Sequence, residues 1–234
     1  MWHALRREGI DIGREQTARL MRLAGVSGKG KGGSPITTRK PNVPDLRADL
    51  VEREFKAQGP NKLWVADITY VRTRKGFVYT AFVTDVYSRR IVGWALSDSM
   101  RTEALPLQAL NQAIVCAEET TGLIHHSDHG SQYVSVVYNE RLAQHGIAAS
   151  TGTVGDSYDN ALAENVNGSY KNELIHTRRW DDVVEVEIAT FEWVSWWNET
   201  RLPQSLGYRT PVEVETEFWK QNLPQAIMEN KANA

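Results

Sequence analysis

The chain has 234 residues, of which 41% are apolar and 24% charged, and its formal net charge is −2. These values are ordinary for a globular protein, and no apolar run approaches the roughly 18 residues that a membrane helix requires. The single cysteine, Cys116, excludes an internal disulfide and a cysteine-based zinc site. We therefore expect a cytoplasmic protein with no membrane partner.

Basic residues are concentrated at the front of the chain. Residues 1–40 carry nine Arg and Lys against three Asp and Glu, so this segment is +6 and the remaining 194 residues are −8. Within it, residues 2–8 and 15–24 have helical spacing on either side of Gly9 and Gly13. We interpret residues 1–27 as a helix-turn-helix-like DNA-binding remnant, with a solvated basic helix as the alternative. Residues 28–57, rich in Gly, Pro and Lys, are expected to form a basic linker and connector.

A catalytic core is predicted for residues 58–214, with a helical tail at 215–234. Three strand patterns separated by short turns occupy residues 62–71, 76–88 and 91–98. A helical pattern at 102–119 leads to a strand at 122–128, a helix at 133–145 and a strand at 147–151. The order βββαβαβα predicts an α/β protein with a mixed five-stranded sheet flanked by helices. Residues 183–199 read as a further helix, followed by a turn-rich stretch and a short final helix.

Three carboxylates are candidates for one site. Asp67 lies in the middle of the first predicted strand, where a carboxylate is costly to bury without a compensating cation or donors. Asp128 ends the fourth strand, at a terminus where functional groups of open sheets commonly sit. Glu164 lies on the following helix, and at 100° per residue it shares a face with Asn160 and Lys171. Glu173 points elsewhere on that helix.

The apolar stripe on the other side of this helix predicts how it packs. Leu162, Val166, Tyr170 and Leu174 recur every four residues and can lie on the sheet. Glu164 would then reach the sheet edge near Asp128. Three converging carboxylates favour Mg²⁺ or Mn²⁺, with two ions suited to phosphodiester chemistry. Lys171 is the candidate to hold a phosphate of the DNA.

Five segments of the sequence carry a family resemblance: WVADITY, TDVYSRRIVGW, HHSDHGSQY, VGDSYDNALAENVNGSYKNEL and WWNETRLPQSLGYRTPVEV. Together they resemble the integrase core of bacterial insertion-sequence transposases, above all the insertion-sequence-three family, relatives of retroviral integrases. The resemblance covers about residues 60–214, and 35 residues separate Asp128 from Glu164, as in this family's acidic triad. It implies a ribonuclease-H-like fold and a metal-binding catalytic triad of Asp67, Asp128 and Glu164. The implied reaction is hydrolysis at an element end, followed by attack of the freed 3′-hydroxyl on a second phosphodiester.

Other residues have competing interpretations. Asp85 is a metal candidate, but neighbouring Arg89 and Arg90 offer it a structural ion pair. His125 and His126 alternate across a strand and cannot easily share a zinc ion, so His126 is expected to contact substrate or orient the site. Trp193, Trp196 and Trp197 have the spacing of core residues, with base stacking as the alternative. With Lys171, the candidates for DNA contact are Asn160, His126 and Arg201; Arg201 matches the family's tail, whereas Pro203 replaces the usual His.

The resemblance also predicts partners. They are the terminal inverted repeats and target DNA, a second copy of the chain, and the upstream-reading-frame product, because a start at Met1-Trp2 fits the downstream reading frame alone. The leading hypothesis is a metal-dependent transposase that cleaves and transfers DNA strands. The alternatives are a nuclease without strand transfer and a truncated, catalytically idle remnant that only binds DNA. Loss of a triad carboxylate would favour the idle remnant, and all three are present.

Overall fold

The computed structural model describes residues 1–28, 47–52, 54–101, 105–117, 119–152 and 161–232, with side chains described as far as residue 222. Most of the expected linker therefore lies outside the described residues, as does the segment 153–160 before the helix of Glu164. No helix in the part of the chain that the structure describes has the length and apolarity needed to cross a membrane.

The two predicted N-terminal helices are present as α1 (Trp2–Arg7) and α2 (Arg14–Leu23). The chain reverses between them at Gly9, whose positive φ of 79° favours glycine. Leu20 and Leu23 on the predicted apolar face of α2 remain 43% and 74% exposed. The front of the chain contacts its C-terminal part: His3 stacks on Tyr208 with ring centroids 3.5 Å apart. The DNA-binding role of residues 1–27 stays a prediction.

The centre of the protein is the predicted five-stranded mixed sheet. Its strands are β1 (Leu63–Thr73), β2 (Gly76–Asp85), β3 (Ile91–Ser97), β4 (Ile124–Ser127) and β5 (Ala148–Thr151). Their spatial order is β3-β2-β1-β4-β5. β1 pairs antiparallel with β2 and parallel with β4, and β5 is parallel to β4. The first three strands thus form the predicted meander, and β4 and β5 return through helical crossovers.

Helices cover both faces of the sheet. They are α3 (Pro106–Ala117), α4 (Val136–Gln144), α5 (Ala161–Glu173), α6 (Val183–Glu199) and α7 (Pro211–Ala232). Alternate residues of β1 face opposite layers: Trp64 packs with α3 and α4, whereas Val71 packs with α5 and α6. Val166 and Tyr170 of α5 are buried in the second layer, with Leu174 partly buried beside them, as the apolar stripe predicts.

The final helix corrects the expectation of a long turn followed by a short helix. It begins at Pro211 and runs for 22 residues. Thr210 and Glu213 form a reciprocal cap, because the Thr210 amide donates to the Glu213 carboxylate at 2.8 Å and the Glu213 amide to Thr210 Oγ1 at 3.2 Å. Helix α7 therefore continues through residue 214, where the sequence predicts the end of the core.

Candidate active site

Asp67 and Asp128 come to the same edge of neighbouring strands. Residue 66 of β1 lies opposite residue 127 of β4 in a parallel register, so Asp67 follows in β1 and Asp128 is the first residue after β4. Asp67 shares its face of β1 with Val65 and Val71, which pack towards α5. The register thus brings together two carboxylates that lie 61 residues apart in the sequence.

The turn that follows β4 holds the Asp128 side chain. The amide of Gly130 donates to Asp128 Oδ1 at 2.9 Å. A Cβ at Gly130 would lie 2.9 Å from the same oxygen, so a side chain there would push the carboxylate away. The turn closes with a hydrogen bond of 3.0 Å from the Tyr133 amide to the Gly130 carbonyl. Glycine is therefore required by close approach rather than by backbone conformation.

Glu164 enters from the first turn of α5 and is exposed. One turn further on, Asn167 donates from Nδ2 to Asp67 Oδ2 at 2.9 Å. Tyr170, in the next turn, is fully buried against Phe82 of β2. These contacts fix α5 to the sheet with Glu164 on the side of the two aspartates. Sequence reasoning missed Asn167, although its spacing of three from Glu164 places it beside that residue on the helix surface.

Burial and, to a smaller extent, mutual repulsion raise the pKa values of the carboxylates at this edge. Burial and the nearby Asp128 carboxylate raise the pKa of Asp67 to about 8, with a smaller contribution from Glu164. Hydrogen bonds from the Ile68 amide and Asn167 act in the opposite direction. Partial desolvation and Asp128 also raise the pKa of Glu164. The three carboxylates therefore interact, and their ionised forms favour the approach of a cation.

The carboxylates do not form a closed cage. Among the described residues, no three Asp, Glu, His or Cys side chains are arranged to enclose a metal ion. The chemistry of the donors nevertheless fits Mg²⁺ or Mn²⁺, because carboxylate oxygens are their preferred protein ligands and both ions keep several waters. The arrangement is an open acidic edge whose donors suit a hard cation.

Lys171 lies on the same side of α5 as the acidic edge. Its Nζ is 4.5 Å from the centroid of the Tyr70 ring, three residues beyond Asp67 on β1. Desolvation lowers the pKa of Lys171, and the Asp67 carboxylate partly opposes this shift. The ammonium group is thus held near the aspartates by an aromatic face.

The other three candidates for DNA contact have different surroundings. Asn160 lies outside the described residues. His126 is 1% exposed, and its Nδ1 is 2.9 Å from Ser150 Oγ. Arg201 donates to Glu173 at 2.6 Å and lies over the Trp197 ring at 4.2 Å. The burial of His126 suits the orienting role better than direct contact, and DNA contact by these residues stays a prediction.

Asp85 has a structural role at the start of the β2–β3 turn. It is 1% exposed and accepts hydrogen bonds from the amides of Asn61 and Ser88 at 2.9 and 2.7 Å. Of the two partners expected for Asp85, Arg90 pairs instead with Glu215 at 3.0 Å, whereas Arg89 lies near enough for the Asp85 charge to oppose the lowering of its pKa by burial. In the register of β1 and β2, Asp85 lies opposite Trp64, while Asp67 lies opposite Phe82. Asp85 is therefore three residue pairs away from the acidic edge.

The histidines and tryptophans behave as structural residues. His125 Nε2 is 2.9 Å from the Tyr138 hydroxyl on the α4 side of the sheet, and burial lowers the pKa of His125 to about 3. His126 points to the opposite layer, where the edge of its ring meets Phe55. Trp193 and Trp197 are buried in the core beneath α6, as predicted, whereas Trp196 is 41% exposed.

Sequence reasoning also missed Arg47, which lies in the segment expected to be a linker. Its guanidinium donates from Nη1 to Ser127 Oγ at 2.9 Å and from Nη2 to the Asp128 carbonyl at 3.1 Å. No local pattern in the sequence marks this residue, because its partners lie 80 residues away.

Two family models match the chain, both described as integrase core domains, at residues 57–157 and 145–211. The chain is 48% identical over 219 residues to the transposase for insertion sequence element IS629 of Shigella sonnei, and it covers 73% of that protein. It is 47% identical over 227 residues to a putative transposase for insertion sequence element IS986/IS6110 of Mycobacterium tuberculosis, of which it covers 81%. These two alignments each include 94% of the chain.

Solved structures with the same fold include two from retroviral integrases. The catalytic core domain of HTLV-2 integrase in complex with magnesium superposes with a TM-score of 0.54 at 19% identity, covering 68% of this chain and 99% of that one. The simian T-cell lymphotropic virus intasome in complex with a PP2A regulatory subunit gives 0.55 at 14% identity, covering 75% of this chain and 60% of that one. At these identities the likeness establishes the fold, which is the predicted ribonuclease-H-like one.

Proposed function

Because the chain belongs to the insertion-sequence-three family of transposases with an integrase-like core, we propose that its acidic edge cleaves and joins DNA at insertion-sequence ends. The catalytic residues are Asp67, Asp128 and Glu164. The observation that carries this assignment is the side-by-side placement of Asp67 and Asp128, whose repulsion contributes to a raised pKa of Asp67 of about 8. A pair of desolvated carboxylates without a cation between them is electrostatically unfavourable, and this favours a metal-binding role.

In the proposed metal site, two carboxylates are fixed by the sheet and the third can change its side-chain conformation. Asp67 and Asp128 project from paired strands, whereas Glu164 is exposed on α5 and can turn its side chain towards them. When bound, Mg²⁺ or Mn²⁺, in our proposal as a pair of ions, supplies Lewis-acid stabilisation of the phosphodiester and lowers the pKa of the attacking water. The solved core of HTLV-2 integrase was in complex with magnesium.

The remaining polar residues of the site orient the carboxylates or bind the DNA. Asn167 fixes one oxygen of Asp67, which leaves the Asp67 carboxylate a defined direction for its other interactions. Lys171, held over Tyr70, provides a positive charge beside the acidic edge that can hold a DNA phosphate. Hydrolysis at the element end leaves a 3′-hydroxyl, and the same edge then positions that hydroxyl against a target phosphodiester. His126, Asn160 and Arg201 remain candidates for supporting or DNA contacts.

The substrate is DNA that carries the terminal inverted repeats of the element, together with target DNA. We expect at least a dimer, because two ends must be joined, and one structure with the same fold is that of a viral intasome. The basic residues exposed on α2, including Arg14, Arg19 and Arg22, would contact phosphates. The upstream-reading-frame product is the further protein partner. Action on chromosomal DNA would place the protein with the nucleoid.

The assay that tests this function uses labelled duplex from both ends of the insertion sequence that encodes the chain. Wild type, Glu164→Gln and Glu173→Gln are compared in Mg²⁺, Mn²⁺ and chelator. Glu173 is the matched control because it is on the same helix but is paired with Arg201. We expect nicked and joined products from wild type and Glu173→Gln only, and none in chelator. Nicking without joining would indicate a nuclease, and DNA binding without cleavage, even with the upstream product added, would indicate an idle remnant.

A further inference from the structure

The connector that precedes the core is packed against the catalytic edge of the sheet. The amide of Leu50 donates to Ser150 Oγ at 2.9 Å, and the amide of Thr151 donates to the Ala48 carbonyl at 3.2 Å. Val51 is 6% exposed and packs with Ala163, the residue before Glu164. The described part of the connector is thus hydrogen-bonded to β5 at the edge of the sheet and is not a free linker.

Arg47 brings a positive charge from this connector to the end of β4. Its guanidinium donates to the Ser127 hydroxyl and the Asp128 carbonyl, at 2.9 and 3.1 Å. Burial lowers the pKa of His125 and the Arg47 charge adds to that shift, whereas the same charge partly opposes the rise in pKa that burial causes at Tyr133 and Tyr138. Arg47 therefore lies at the end of β4, close to the buried rings of His125, Tyr133 and Tyr138.

The contacts to Asp128 come from two directions. The Gly130 amide holds its carboxylate, and Arg47 holds its main chain. β4 ends at Ser127, so the pairing of this strand with β1 and β5 does not extend to Asp128. The Ser127 hydroxyl donates to the Asp128 carbonyl at 3.2 Å, and the planar guanidinium of Arg47, with two diverging donors, holds this carbonyl and the same hydroxyl together.

We propose that Arg47 is a positioning residue for Asp128. It fixes the main chain at the end of β4, so that the Asp128 carboxylate is presented beside Asp67 in the geometry that a divalent cation needs. This inference rests on the proposed role of Asp128 as a metal ligand. It makes the connector a part of the active site and gives the segment between the N-terminal helices and the core a direct contact with a catalytic residue.

The proposal differs from a simple anchoring role in what it predicts for metal binding. If Arg47 only anchored the connector, its replacement would lower the free energy of unfolding but leave the metal affinity of the folded protein unchanged. A positioning residue changes that affinity, because residues that orient metal ligands typically contribute about 10–100-fold to affinity or activity. A Lys at this position keeps the charge but has a single nitrogen, so it cannot hold both oxygens with the fixed fork of Arg.

The test measures Mn²⁺ binding to the full chain by electron paramagnetic resonance of free Mn²⁺, together with thermal unfolding and cleavage of element-end duplex. The variants are Arg47→Gln, Arg47→Lys and Asp128→Asn. The matched control is Arg141→Gln. Arg141 lies on α4, is also part-buried, and donates to the side chain of Asn111 on α3 at 2.7 Å. We expect Arg47→Gln to weaken Mn²⁺ binding about 10-fold or more, Arg47→Lys to be intermediate, and Arg141→Gln to match wild type.

The results for Asp128→Asn and for the Arg47 variants distinguish failure of the proposed function from failure of the positioning role. Asp128→Asn with wild-type Mn²⁺ binding and cleavage would overturn the role of Asp128 itself. Loss of Mn²⁺ binding in Asp128→Asn, with unchanged binding in both Arg47 variants, would overturn the positioning role alone. If Arg47→Gln does not fold, Arg47→Lys decides: a raised Mn²⁺ requirement in folded protein supports positioning, and a wild-type requirement contradicts it.

Discussion

Asn167 Nδ2 donates to Asp67 Oδ2 at 2.9 Å and so joins residues that are 100 positions apart in the sequence. The bond runs from the helix that carries Glu164 to the strand that carries Asp67. It therefore sets the position of one catalytic element relative to another. The same bond opposes the rise in the pKa of Asp67, because it favours the ionised carboxylate.

Replacement of Asn167 by Ala should impair cleavage more than folding. The variant loses the donor that orients Asp67, and we expect a fall in the cleavage rate of about 10–100-fold, with a higher Mg²⁺ requirement. Single-turnover cleavage at a series of Mg²⁺ concentrations measures both effects. The control is Asn165→Ala, because Asn165 is exposed on the same helix. Equal rates for the two variants would remove Asn167 from the site.

The acidic edge should also limit the stability of the metal-free protein. Asp67 has a pKa of about 8 in the folded protein against an ordinary value of 3.8. Its neutral form thus favours the folded state, and this contribution is present below about pH 4 and lost as the pH rises through 8. In chelator at about pH 8, Asp67→Asn should raise Tm by about 2–4 °C, equivalent to about 1 kcal/mol.

Thermal unfolding between about pH 5 and pH 9 checks the sign of this effect. The gap between Asp67→Asn and wild type should widen with increasing pH, and Mg²⁺ should stabilise wild type alone. Asp98→Asn provides the control, because Asp98 is an exposed carboxylate away from the edge. A variant that is less stable than wild type at every pH would show that the Asp67 hydrogen bonds outweigh the repulsion.

The sequence predicts most of the fold because its signals are local. Alternation and short turns identify β1 to β3, and the predicted helix at residues 183–199 has the bounds of α6. The start of α7 was also readable, since Thr210 and Glu213 stand three apart before an apolar run, but the turn-rich composition around Pro203 and Gly207 concealed it.

The sequence predicts those site residues whose role can be inferred from their own segment of the chain. Asp67, Asp128 and Glu164 could be chosen from strand ends, helix geometry and family spacing. Arg47 and Asn167 could not be assigned, because their partners lie 80 or more residues away and depend on how the connector and α5 pack. For the same reason the sequence predicts an ion pair of Asp85 with Arg89 and Arg90, whereas folding brings the Asp85 carboxylate to the amides of Asn61 and Ser88 and pairs Arg90 with Glu215.

The contact between β3 and α3 provides a test of the packing. A Cβ at Gly93 would lie 2.1 Å from the Ala109 carbonyl oxygen and 2.9 Å from Ala113 Cβ. Gly93→Ala should therefore destabilise the protein by about 1–3 kcal/mol, because the helix must move away from the sheet. Denaturant unfolding measures this difference as a lower midpoint.

Gly168 is the matched counterpart of Gly93. It lies within α5, and a Cβ there would meet no atom within 4 Å outside the local helix. Gly168→Ala should stabilise the protein by about 0.5–1 kcal/mol, because alanine reduces the entropy lost on forming the helix. Destabilisation by both substitutions to the same extent would contradict the close approach of β3 and α3.

Lys171 should contribute to DNA binding through charge. Its ammonium group is held over the Tyr70 ring beside Asp67, where it would pair with one phosphate of the cleaved strand. Lys171→Met should weaken binding of element-end duplex in the presence of Ca²⁺, used as a non-catalytic stand-in for Mg²⁺. It should also reduce the slope of log affinity against log salt by about 1, the value for one phosphate contact.

Fluorescence anisotropy at several salt concentrations measures the affinity and the slope together. Lys62→Met is the control, because Lys62 is exposed and precedes β1 at the end of the strand away from Asp67. The two variants carry the same change in net charge, so a general electrostatic effect would alter both slopes equally. A smaller slope for Lys171→Met alone places a phosphate at Lys171, whereas an unchanged slope with slower cleavage would mean that Lys171 orients Asp67 instead.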